Sequence, residues 1–304
     1  MVGSAHDAED LVQETFVRAW RSYASFERRA SMRSWLYKIA TNVCLTALTS
    51  RRPRVLPSAL SAPHDGSDRR PDDVAPSDVR WLEPWPDGWG AAPAGDPAAV
   101  VIARESLRLA LIASLQYLPV RQRAIFLLRE VLAFSAEEAA EILGITTAAA
   151  KSGLQRARAR LGQHAPAPER LLEPSDPRAR ELLDGYIAAF ERADASLLIN
   201  VLRTDASLES TPFRDWVVGR ANCIRLLGSY VLGSPGQWRM LATSANGQPA
   251  AAVFRRDAGG ALRADGIVVL EPTATGVSRV TAFHDPTLAV LFGFPEILFE
   301  TLPG

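Results

Sequence analysis

The chain has 304 residues, 47% of them hydrophobic, and its 34 basic residues balance 34 acidic ones to a formal net charge of zero. This length accommodates two or three domains, and the balance excludes a uniformly basic nucleic-acid-binding surface. Two cysteines and four histidines are scattered along the chain, so the sequence predicts no disulfide framework, metal site or cofactor. It has no apolar run of about 18 residues and no signal peptide, which predicts a cytoplasmic protein without a membrane span.

Charge is distributed unevenly along the chain. Residues 1–55 carry nine Arg or Lys against five Asp or Glu, and residues 101–172 carry ten against six, so each segment has a net charge of +4. Residues 56–100 carry three against eight, and residues 173–304 carry twelve against fifteen. The two basic segments are therefore the candidates for contact with nucleic-acid phosphates.

The first predicted element is an amphipathic helix in SAHDAEDLVQETFVRAWRSY. Apolar or small residues recur at the spacing of one helical face, at Ala8, Leu11, Val12, Thr15, Phe16, Ala19 and Trp20. The opposite face is polar and mostly acidic, with Asp7, Glu9, Asp10, Gln13 and Glu14. Acidic residues in a first turn ordinarily complement the helix dipole, so this face alone indicates no partner.

A second helix is predicted over about residues 31–52, SMRSWLYKIATNVCLTALTSRR. Basic residues alternate with aromatic ones at Arg33, Trp35, Tyr37 and Lys38. This pattern suits a single-stranded nucleic acid, because bases stack on the rings while cations follow the phosphates. Ordinary packing of a helical core is the alternative, and this segment alone does not exclude it.

Residues 56–97 are rich in Pro, Gly, Asp and Ser without sustained periodicity, which predicts an acidic linker. The linker contains the segment WLEPWPD at residues 81–87, whose prolines exclude a helix. We interpret Trp81, Leu82, Glu83 and Trp85 as part of a docking segment or of a segment that enters the polymerase channel, because tryptophans are unusual in a linker of accidental composition.

Residues 115–161 carry the pattern of a helix-turn-helix with a supporting helix before it, LPVRQRAIFLLREVL. Ser135 and Glu138 stand at the spacing of a capping box, which begins a helix that Gly144 ends. The next helix reads AAAKSGLQRARARL and is capped by Thr146 or Thr147. Small residues where the two helices cross allow the close approach that a helix-turn-helix requires.

The two faces of this second helix differ in chemistry. Its inner face is apolar, with Ala150, Leu154, Ala157 and Leu161. Its outer face is polar and cationic, with Lys151, Gln155, Arg156, Arg158 and Arg160. A solvated Arg-rich helix end is the alternative, but the helix-turn-helix pattern favours a helix that enters a DNA groove.

A proline-rich segment, residues 165–177, precedes a C-terminal part of different character. Helices are predicted at 178–193 and 222–231, and strands at 206–211, 238–245, 250–256, 267–271 and 276–283. This order predicts an α+β domain whose antiparallel sheet curls round a cavity.

Acidic and imidazole groups in this C-terminal part are candidates for acid or base chemistry in such a cavity. They are Asp205, Glu209, Asp215, His284 and Asp285. None forms a pair whose spacing identifies a reaction, and adjacent His284 and Asp285 favour a turn at a strand end over a catalytic dyad. Trp216, Trp238 and Phe254 are predicted in the core or the cavity wall.

Residues 115–161 resemble region 4 of bacterial RNA polymerase sigma factors of the extracytoplasmic-function type, through LP.RQR, SAEE.AEILG and the Arg-rich helix. In that family the helix reads the minus-thirty-five promoter element. The implied DNA contacts are Lys151, Ser152, Gln155, Arg156 and Arg158. Gly153 departs from the family, where Arg is common at this position, and predicts altered or weak promoter recognition.

The first two helices resemble region 2 of the same sigma factors. The segment DAEDLVQETFVRAW implies contacts with core RNA polymerase by Asp10, Gln13 and Glu14. The next helix implies minus-ten contacts by Arg33, Trp35, Tyr37, Lys38 and Asn42. Thr46 and Thr49 depart from the Asp and Arg often found there. The family has further helices before this point, so the resemblance leaves two expectations: the true start lies upstream, or this region 2 is incomplete at its N-terminus.

WLEPWPD is similar to the WLEPYPD motif of sigma factors with a C-terminal SnoaL-like extension, and TPFRDWVVGR and RVTAFHD look like that extension. The implied fold class is multidomain: all-α regions 2 and 4, then an α+β SnoaL-like domain related to nuclear transport factor 2. The implied boundaries are region 2 at 1–55, the acidic linker at 56–100, region 4 at 101–164, a second linker at 165–177 and the SnoaL-like domain at 178–304.

The implied function is promoter-specific initiation of transcription, with core RNA polymerase and promoter DNA as partners and no catalytic residue. In such family members the extension is implicated in controlling sigma activity. We expect it to dock on the helical regions through WLEPWPD, and a small ligand in its cavity is a further candidate partner. Two alternatives remain at this point: a DNA-binding regulator that acts without polymerase, and a SnoaL-like enzyme tethered to DNA.

Overall fold

The computed structural model describes residues 1–26, 31–49, 51–64, 74–89, 108–164 and 171–299. Its contacts divide the chain into two compact units. The helical unit comprises Met1–Val55 and Ala92–Pro168, and the sheet unit comprises Leu56–Ala91 and Glu169–Gly304. Residues predicted as an acidic linker thus contribute to the sheet unit, together with the C-terminal domain.

The described part of the helical unit contains two groups of helices. The first group is α1 (Ala5–Ser22) and α2 (Met32–Thr49). The second group is α3 (Leu109–Gln116), α4 (Val120–Phe126), α5 (Ala136–Leu143) and α6 (Thr147–His164). A π-helical turn, Leu127–Val131, extends α4 towards α5. The predicted helices of both regions are therefore present.

Two apolar clusters hold the second group together. In one, Leu115 and Leu118 meet Ala157 and Leu161 of α6. In the other, Leu128, Phe134, Ala139 and Ile142 are buried at the start of the helix-turn-helix. Burial of a leucine, isoleucine or phenylalanine side chain stabilises a fold by about 1.5–3 kcal/mol, so α6 is fixed along its inner face.

The described part of the sheet unit consists mainly of strands, with three α-helices between or beside them. The described strands are β1 (Leu202–Thr211), β2 (Trp216–Val218), β3 (Trp238–Ala245), β4 (Gln248–Arg256), β5 (Leu262–Thr273), β6 (Gly276–Phe283) and β7 (Ile297–Leu298). The helices are α7 (Pro177–Glu191), α8 (Arg220–Tyr230) and α9 (Pro286–Leu291). The bounds of β3 and β6 agree with the predicted 238–245 and 276–283.

The described strands form one sheet in the order β2-β1-β6-β5-β4-β3, with β7 beside β5. The prediction of a wholly antiparallel sheet is wrong at one place, because β1 pairs with β6 in parallel. Neighbouring parallel strands need a crossover connection, and here the chain between β1 and β6 supplies it. Helices α7 and α8 pack their apolar faces on this sheet and form the main core of the domain.

Two buried ionisable groups predict how this domain responds to alkaline pH. Burial raises the pKa of the Cys223 thiol to about 12, and burial together with Cys223 raises that of the Tyr186 phenol well above its ordinary value. In the unfolded chain these groups ionise near their ordinary values of 9.0 and 10.0. At alkaline pH the folded form therefore binds more protons than the unfolded form. The stability that these two groups contribute is present below about pH 9 and is lost as the pH rises above it.

We therefore expect the thermal midpoint of the chain to fall as the pH is raised from 8 to 11, as measured by circular dichroism. Cys223→Ala should make this pH dependence shallower, because the thiol no longer contributes, whatever the variant's stability at pH 8. A midpoint with the same pH dependence in both proteins would contradict the assigned role of Cys223.

Candidate nucleic-acid interface

The helix-turn-helix is fixed by the local signals that the sequence carries. The Ser135 hydroxyl accepts from the Glu138 amide at 3.1 Å, and the Glu138 carboxylate accepts from the Ser135 amide at 2.7 Å, which completes the predicted capping box. Gly144 ends α5 in the left-handed conformation, at φ 63°. The Thr146 hydroxyl accepts from the Ala149 amide at 3.1 Å, so Thr146 caps α6.

Helix α6 has the two faces that the sequence predicts. Ala150, Leu154, Ala157 and Leu161 are buried. Lys151, Gln155, Arg156, Arg158 and Arg160 are exposed, and Ser152 is half-buried. The Arg158 guanidinium pairs with Glu130 at 2.9 Å, which links α6 to the π-helical turn. The exposed face thus offers polar and cationic groups of the kinds that read base edges and bind phosphates.

Gly153, the departure from the family pattern in α6, lies on the inner face of this helix. It is buried, and a Cβ placed on it would lie 2.5 Å from Cδ1 of Ile125 in α4. A side chain at this position would therefore require the end of the Ile125 side chain to move. Altered or weak promoter recognition stays a prediction, and the structure adds that Gly153 lies against α4.

Arg123, the last residue of LP.RQR, is a buried organising group that the sequence analysis missed. Its guanidinium donates to the Gln116 side-chain oxygen at 2.8 Å, to the carbonyls of Gln116 and Leu118 at 3.0 and 3.4 Å, and to the Met1 carbonyl at 2.7 Å. Burial lowers its pKa to about 10. The motif itself was the available signal: a family pattern can mark a structural arginine as well as a DNA contact.

The structure divides the predicted minus-ten residues of α2 into three kinds. Lys38 and Asn42 are exposed. Trp35 stacks against Phe26, with ring centroids 4.7 Å apart. Arg33 and Tyr37 contact Phe134, next to the helix-turn-helix. The predicted set therefore does not form one open surface in this structure, and its role in promoter contact stays a prediction.

Helix α1 presents the predicted polymerase-binding residues to solvent. Asp10, Gln13 and Glu14 are all exposed, and Glu14 pairs with Arg18 at 2.6 Å. Asp7 is placed differently, because it pairs with Arg51 at 3.1 Å and Arg54 at 2.8 Å. These contacts join the start of α1 to the chain that follows α2.

The apolar face of α1 is only partly covered. Thr15 and Ala19 are buried, but Val12 and Phe16 are exposed and Trp20 is 85% exposed. Helical spacing predicted that these residues share one face of α1. It did not predict which of them would be buried against other described residues and which would stay exposed. The exposed part forms one wall of a groove whose other wall includes Trp35 and Leu36.

The WLEPWPD segment lies on the turn between β3 and β4. The Trp85 amide donates to the Asn246 side-chain oxygen, and the Asn246 amide donates to the Trp85 carbonyl, both at 2.9 Å. The Gly247 amide donates to the Asp87 carboxylate at 2.7 Å. Leu82 is completely buried, while Trp81 and Glu83 are half-buried. The segment is therefore part of the sheet unit, and docking of these residues on the helical regions stays a prediction.

The start of the same stretch is attached to the other edge of the sheet. The Ser58 amide donates to the Glu209 carboxylate at 3.1 Å, and the Trp216 indole donates to the Ser61 carbonyl at 2.8 Å. The His64 amide adds a bond to the Trp216 carbonyl at 2.7 Å. Glu209 is 1% exposed and pairs with Arg279 at 3.0 Å. Glu209 is thus a fixed structural anion rather than the cavity acid the sequence suggested.

Because Leu82 is buried, the linker stretch should contribute to the stability of the C-terminal domain. We expect Leu82→Ala to lower the free energy of unfolding of the sheet unit by about 2–5 kcal/mol, as large-to-small core substitutions do. Urea unfolding followed by tryptophan fluorescence measures this change. The matched control is Leu60→Ala, because Leu60 lies in the same stretch but is only half-buried. Equal effects would mean that the segment does not pack as described.

The cavity of the C-terminal domain is small and mostly apolar. Its volume is about 50 Å³, and aromatic and aliphatic side chains line it, with Ser210 and His284 as polar groups. His284 Nδ1 lies 2.6 Å from the Asp265 carboxylate, whereas Asp285 accepts from the Thr287 amide and caps α9. Asp205 lies in a surface ion pair with Arg203. Sequence analysis considered the adjacent acid and missed Asp265, which is brought to His284 by strand pairing.

Within the described residues, no group of three or more His, Cys, Asp or Glu side chains is placed to hold a metal ion. No described helix combines the length and apolar character that a membrane span requires.

Comparisons with known proteins agree with these features. The family model described as Sigma-70 region 2 matches residues 1–54, and that described as Sigma-70, region 4 matches residues 108–161. The chain is 45% identical over 300 residues to the ECF RNA polymerase sigma factor SigG of Mycobacterium tuberculosis (strain ATCC 25618 / H37Rv), covering 98% of this chain and 80% of the relative.

A second relative from the same organism matches this chain both in sequence and in structure. The ECF sigma factor SigJ of Mycobacterium tuberculosis is 29% identical over 208 residues, covering 68% of this chain and 58% of the relative. A crystal structure of SigJ superposes with a TM-score of 0.60 at 22% identity and covers 97% of this chain and 93% of that one. The predicted fold class, two helical sigma regions followed by an α+β domain, is confirmed. The chain belongs to the extracytoplasmic-function sigma factors of bacterial RNA polymerase.

Proposed function

We propose that this chain directs core RNA polymerase to a specific set of promoters in the cytoplasm. The observation that carries the proposal is α6: one face is locked into the helix-turn-helix by buried apolar residues, and the other presents Lys151, Gln155 and Arg156. The N-terminal part of such a helix reads base edges in the major groove. Ser152 and Arg158 complete the proposed minus-thirty-five surface.

The proposed polymerase contacts are Asp10, Gln13 and Glu14 on α1, and the proposed minus-ten contacts are Arg33, Trp35, Tyr37, Lys38 and Asn42 on α2. Both sets are supported by the family match over residues 1–54. Exposure of the α1 set leaves it accessible to another protein. The chain itself catalyses no reaction in this proposal; the polymerase does.

The test is reconstitution with purified core RNA polymerase. The chain is mixed with core enzyme and genomic DNA fragments of the source organism, and the 5′ ends of the transcripts are sequenced. We expect the holoenzyme to initiate at a shared pair of promoter elements that core enzyme alone does not use. Promoter binding by the chain alone, without any association with core, would instead support a regulator that acts without polymerase.

We further propose that the C-terminal domain regulates sigma activity through the linker stretch it holds. The reciprocal hydrogen bonds of Trp85 and Asn246, and the bond between Ser58 and Glu209, support this proposal because they attach that stretch at two places. A domain that holds or releases this stretch changes the length of free chain between the two sigma regions, and with it their effective concentration at the two promoter elements.

Asn246→Ala tests this regulatory role, because it removes a side-chain acceptor that fixes Trp85. We expect altered transcription in the reconstituted assay and unchanged transcription for the control Asn200→Ala, at an exposed helix end. A chain truncated after residue 170 provides the limiting case. Transcription equal to that of the full chain, from the truncated form, would argue against regulation by the domain.

A small ligand in the C-terminal cavity is a second candidate function, favoured by the His284–Asp265 pair. The carboxylate at Nδ1 orients the ring and leaves Nε2 for a ligand. Ligand pockets usually measure about 300–1,000 Å³, so a cavity of about 50 Å³ accommodates only a few heavy atoms unless wall residues such as Trp238 move. NMR titration of the His284 ring with small hydroxyl compounds tests this, with His284→Ala as the control.

A further inference from the structure

Two side chains proposed to contact the minus-ten element are bound within the helical unit. The Arg33 guanidinium donates to the Leu132 carbonyl at 2.6 Å and lies 4.2 Å from the centroid of the Phe134 ring. The Tyr37 ring meets the same phenyl ring edge to face, with centroids 5.2 Å apart. Arg33, Tyr37, Leu132 and Phe134 thus form one contact, called here the α2 clasp.

The region 4 side of the clasp is rigid. Phe134 is 1% exposed and belongs to the apolar cluster at the start of the helix-turn-helix. Its amide donates to the Leu128 carbonyl at 2.9 Å, and its carbonyl accepts from Arg129. The capping residue Ser135 follows directly. The phenyl ring therefore has a fixed position, and α2 binds to a preformed surface.

The α2 side of the clasp is less buried than the region 4 side. Arg33 lies at the protein surface, and Tyr37 is half-buried where it packs against the cluster that contains Phe134. Arg33 makes a cation–π and a hydrogen-bond contact, and Tyr37 makes an aromatic pair. Contacts of this kind are individually weak, which suits an interaction that has to open.

The same groups cannot serve the clasp and DNA at once. A base or phosphate that binds Arg33 or Tyr37 competes with Phe134 for the guanidinium and the ring, because base stacking uses the same flat faces. In the clasped state Lys38 and Asn42 are exposed and lie outside the clasp, whereas the exposed Arg33 and the half-buried Tyr37 are bound by it. DNA capture by α2 is therefore coupled to separation of α2 from Phe134.

We infer that the α2 clasp is an autoinhibitory contact, by which region 4 withholds Arg33 and Tyr37 from single-stranded promoter DNA until the holoenzyme forms. This inference rests on the proposed function. It adds that an aromatic residue outside both DNA-binding sets, Phe134, sets how strongly the free chain binds the melted minus-ten strand. Opening the clasp should raise that affinity, because the apparent affinity is proportional to the fraction of molecules in the open, binding-competent state.

Phe134→Leu is the variant that tests the clasp. Leucine keeps an apolar side chain in the helix-turn-helix core but removes the ring that Arg33 and Tyr37 contact. The probe is a fluorescent single-stranded oligonucleotide with the nontemplate minus-ten sequence of a promoter found by reconstitution. We expect the free variant chain to bind it about tenfold more tightly than the wild type, equivalent to about 1.4 kcal/mol.

Phe126→Leu is the matched control, because Phe126 packs in the other cluster of region 4, with Leu115 and Leu161, and contributes no ring to the clasp. It should leave the affinity unchanged. A folded Phe134→Leu chain with wild-type affinity, or an equal gain in both variants, would overturn the clasp. Circular dichroism establishes whether each variant is folded.

A measurement with Phe134 intact covers the case in which Phe134→Leu does not fold. Spin labels are placed at Thr46 on α2 and Glu141 on α5, both exposed, after Cys44 is replaced by serine. We expect the distance between the labels to increase when core polymerase and promoter DNA bind. An unchanged distance in an active holoenzyme overturns the clasp alone, whereas a chain that never binds core overturns the proposed function with it.

Discussion

Arg123→Met should lower the free energy of unfolding of the helical unit by about 3 kcal/mol. Four oxygens accept hydrogen bonds from this guanidinium, and two belong to Gln116. A buried acceptor left without a donor costs about 1–3 kcal/mol. Part of this loss is offset, because removing the cation also removes the desolvation cost that lowers its pKa to about 10. The net effect is a large fraction of the stability of a small domain.

Urea unfolding followed by far-ultraviolet circular dichroism measures this change. The matched control is Arg121→Met, two residues before Arg123 on the same helix but exposed; surface substitutions of this kind change stability by about 0.5 kcal/mol or less. If the two variants unfold at the same urea concentration, Arg123 does not organise the start of region 4 as the structure indicates.

Gln155→Ala should reduce transcription from the cognate promoter by about tenfold or more while leaving core binding unchanged. Gln155 is exposed on α6, one turn after Lys151, where a side chain of a groove-binding helix can reach a base edge. A specific base contact is worth about 1–3 kcal/mol of discrimination. Lys151→Ala should act similarly, and its binding to the promoter should depend less steeply on salt than that of the wild type if the ammonium binds phosphate.

Reconstituted transcription from the cognate promoter and from one with a substituted minus-thirty-five element measures this effect. Gln155→Ala should reduce the ratio of transcription from the cognate promoter to transcription from the substituted one. Arg160→Ala is the control, because Arg160 is exposed near the end of α6. Loss of a phosphate contact there would reduce transcription from both templates alike. Equal losses on both templates for Gln155→Ala would show that it does not read sequence.

Much of the helix-turn-helix could be predicted because its signals are local. The capping box at Ser135, the left-handed Gly144 and the buried face of α6 depend on residues three to four apart, and each is confirmed. Strands β3 and β6 were predicted with their observed bounds for the same reason, since alternation and turn residues are properties of short segments.

Several features of the candidate sites depend on residues far apart in the chain. Asp265 pairs with His284 because β5 and β6 lie side by side, whereas adjacent Asp285 caps α9 at the strand end, in agreement with the predicted turn. Trp85 reaches Asn246 from the linker stretch. Arg33 and Tyr37 follow the pattern of DNA contacts, yet they meet Phe134. No spacing rule predicts such pairs, because they are set by strand register and helix packing.

The sequence by itself thus determined the family, the helical and α+β regions, and the polar and apolar faces of α6, because helical period and capping are encoded within a few residues. Only the tertiary structure decided which partner each face meets. It placed Gly153 against Ile125, joined β1 to β6 in parallel, and placed WLEPWPD on the β3–β4 turn. These outcomes depend on close packing between distant segments, where one methyl group or one step of register changes the contact.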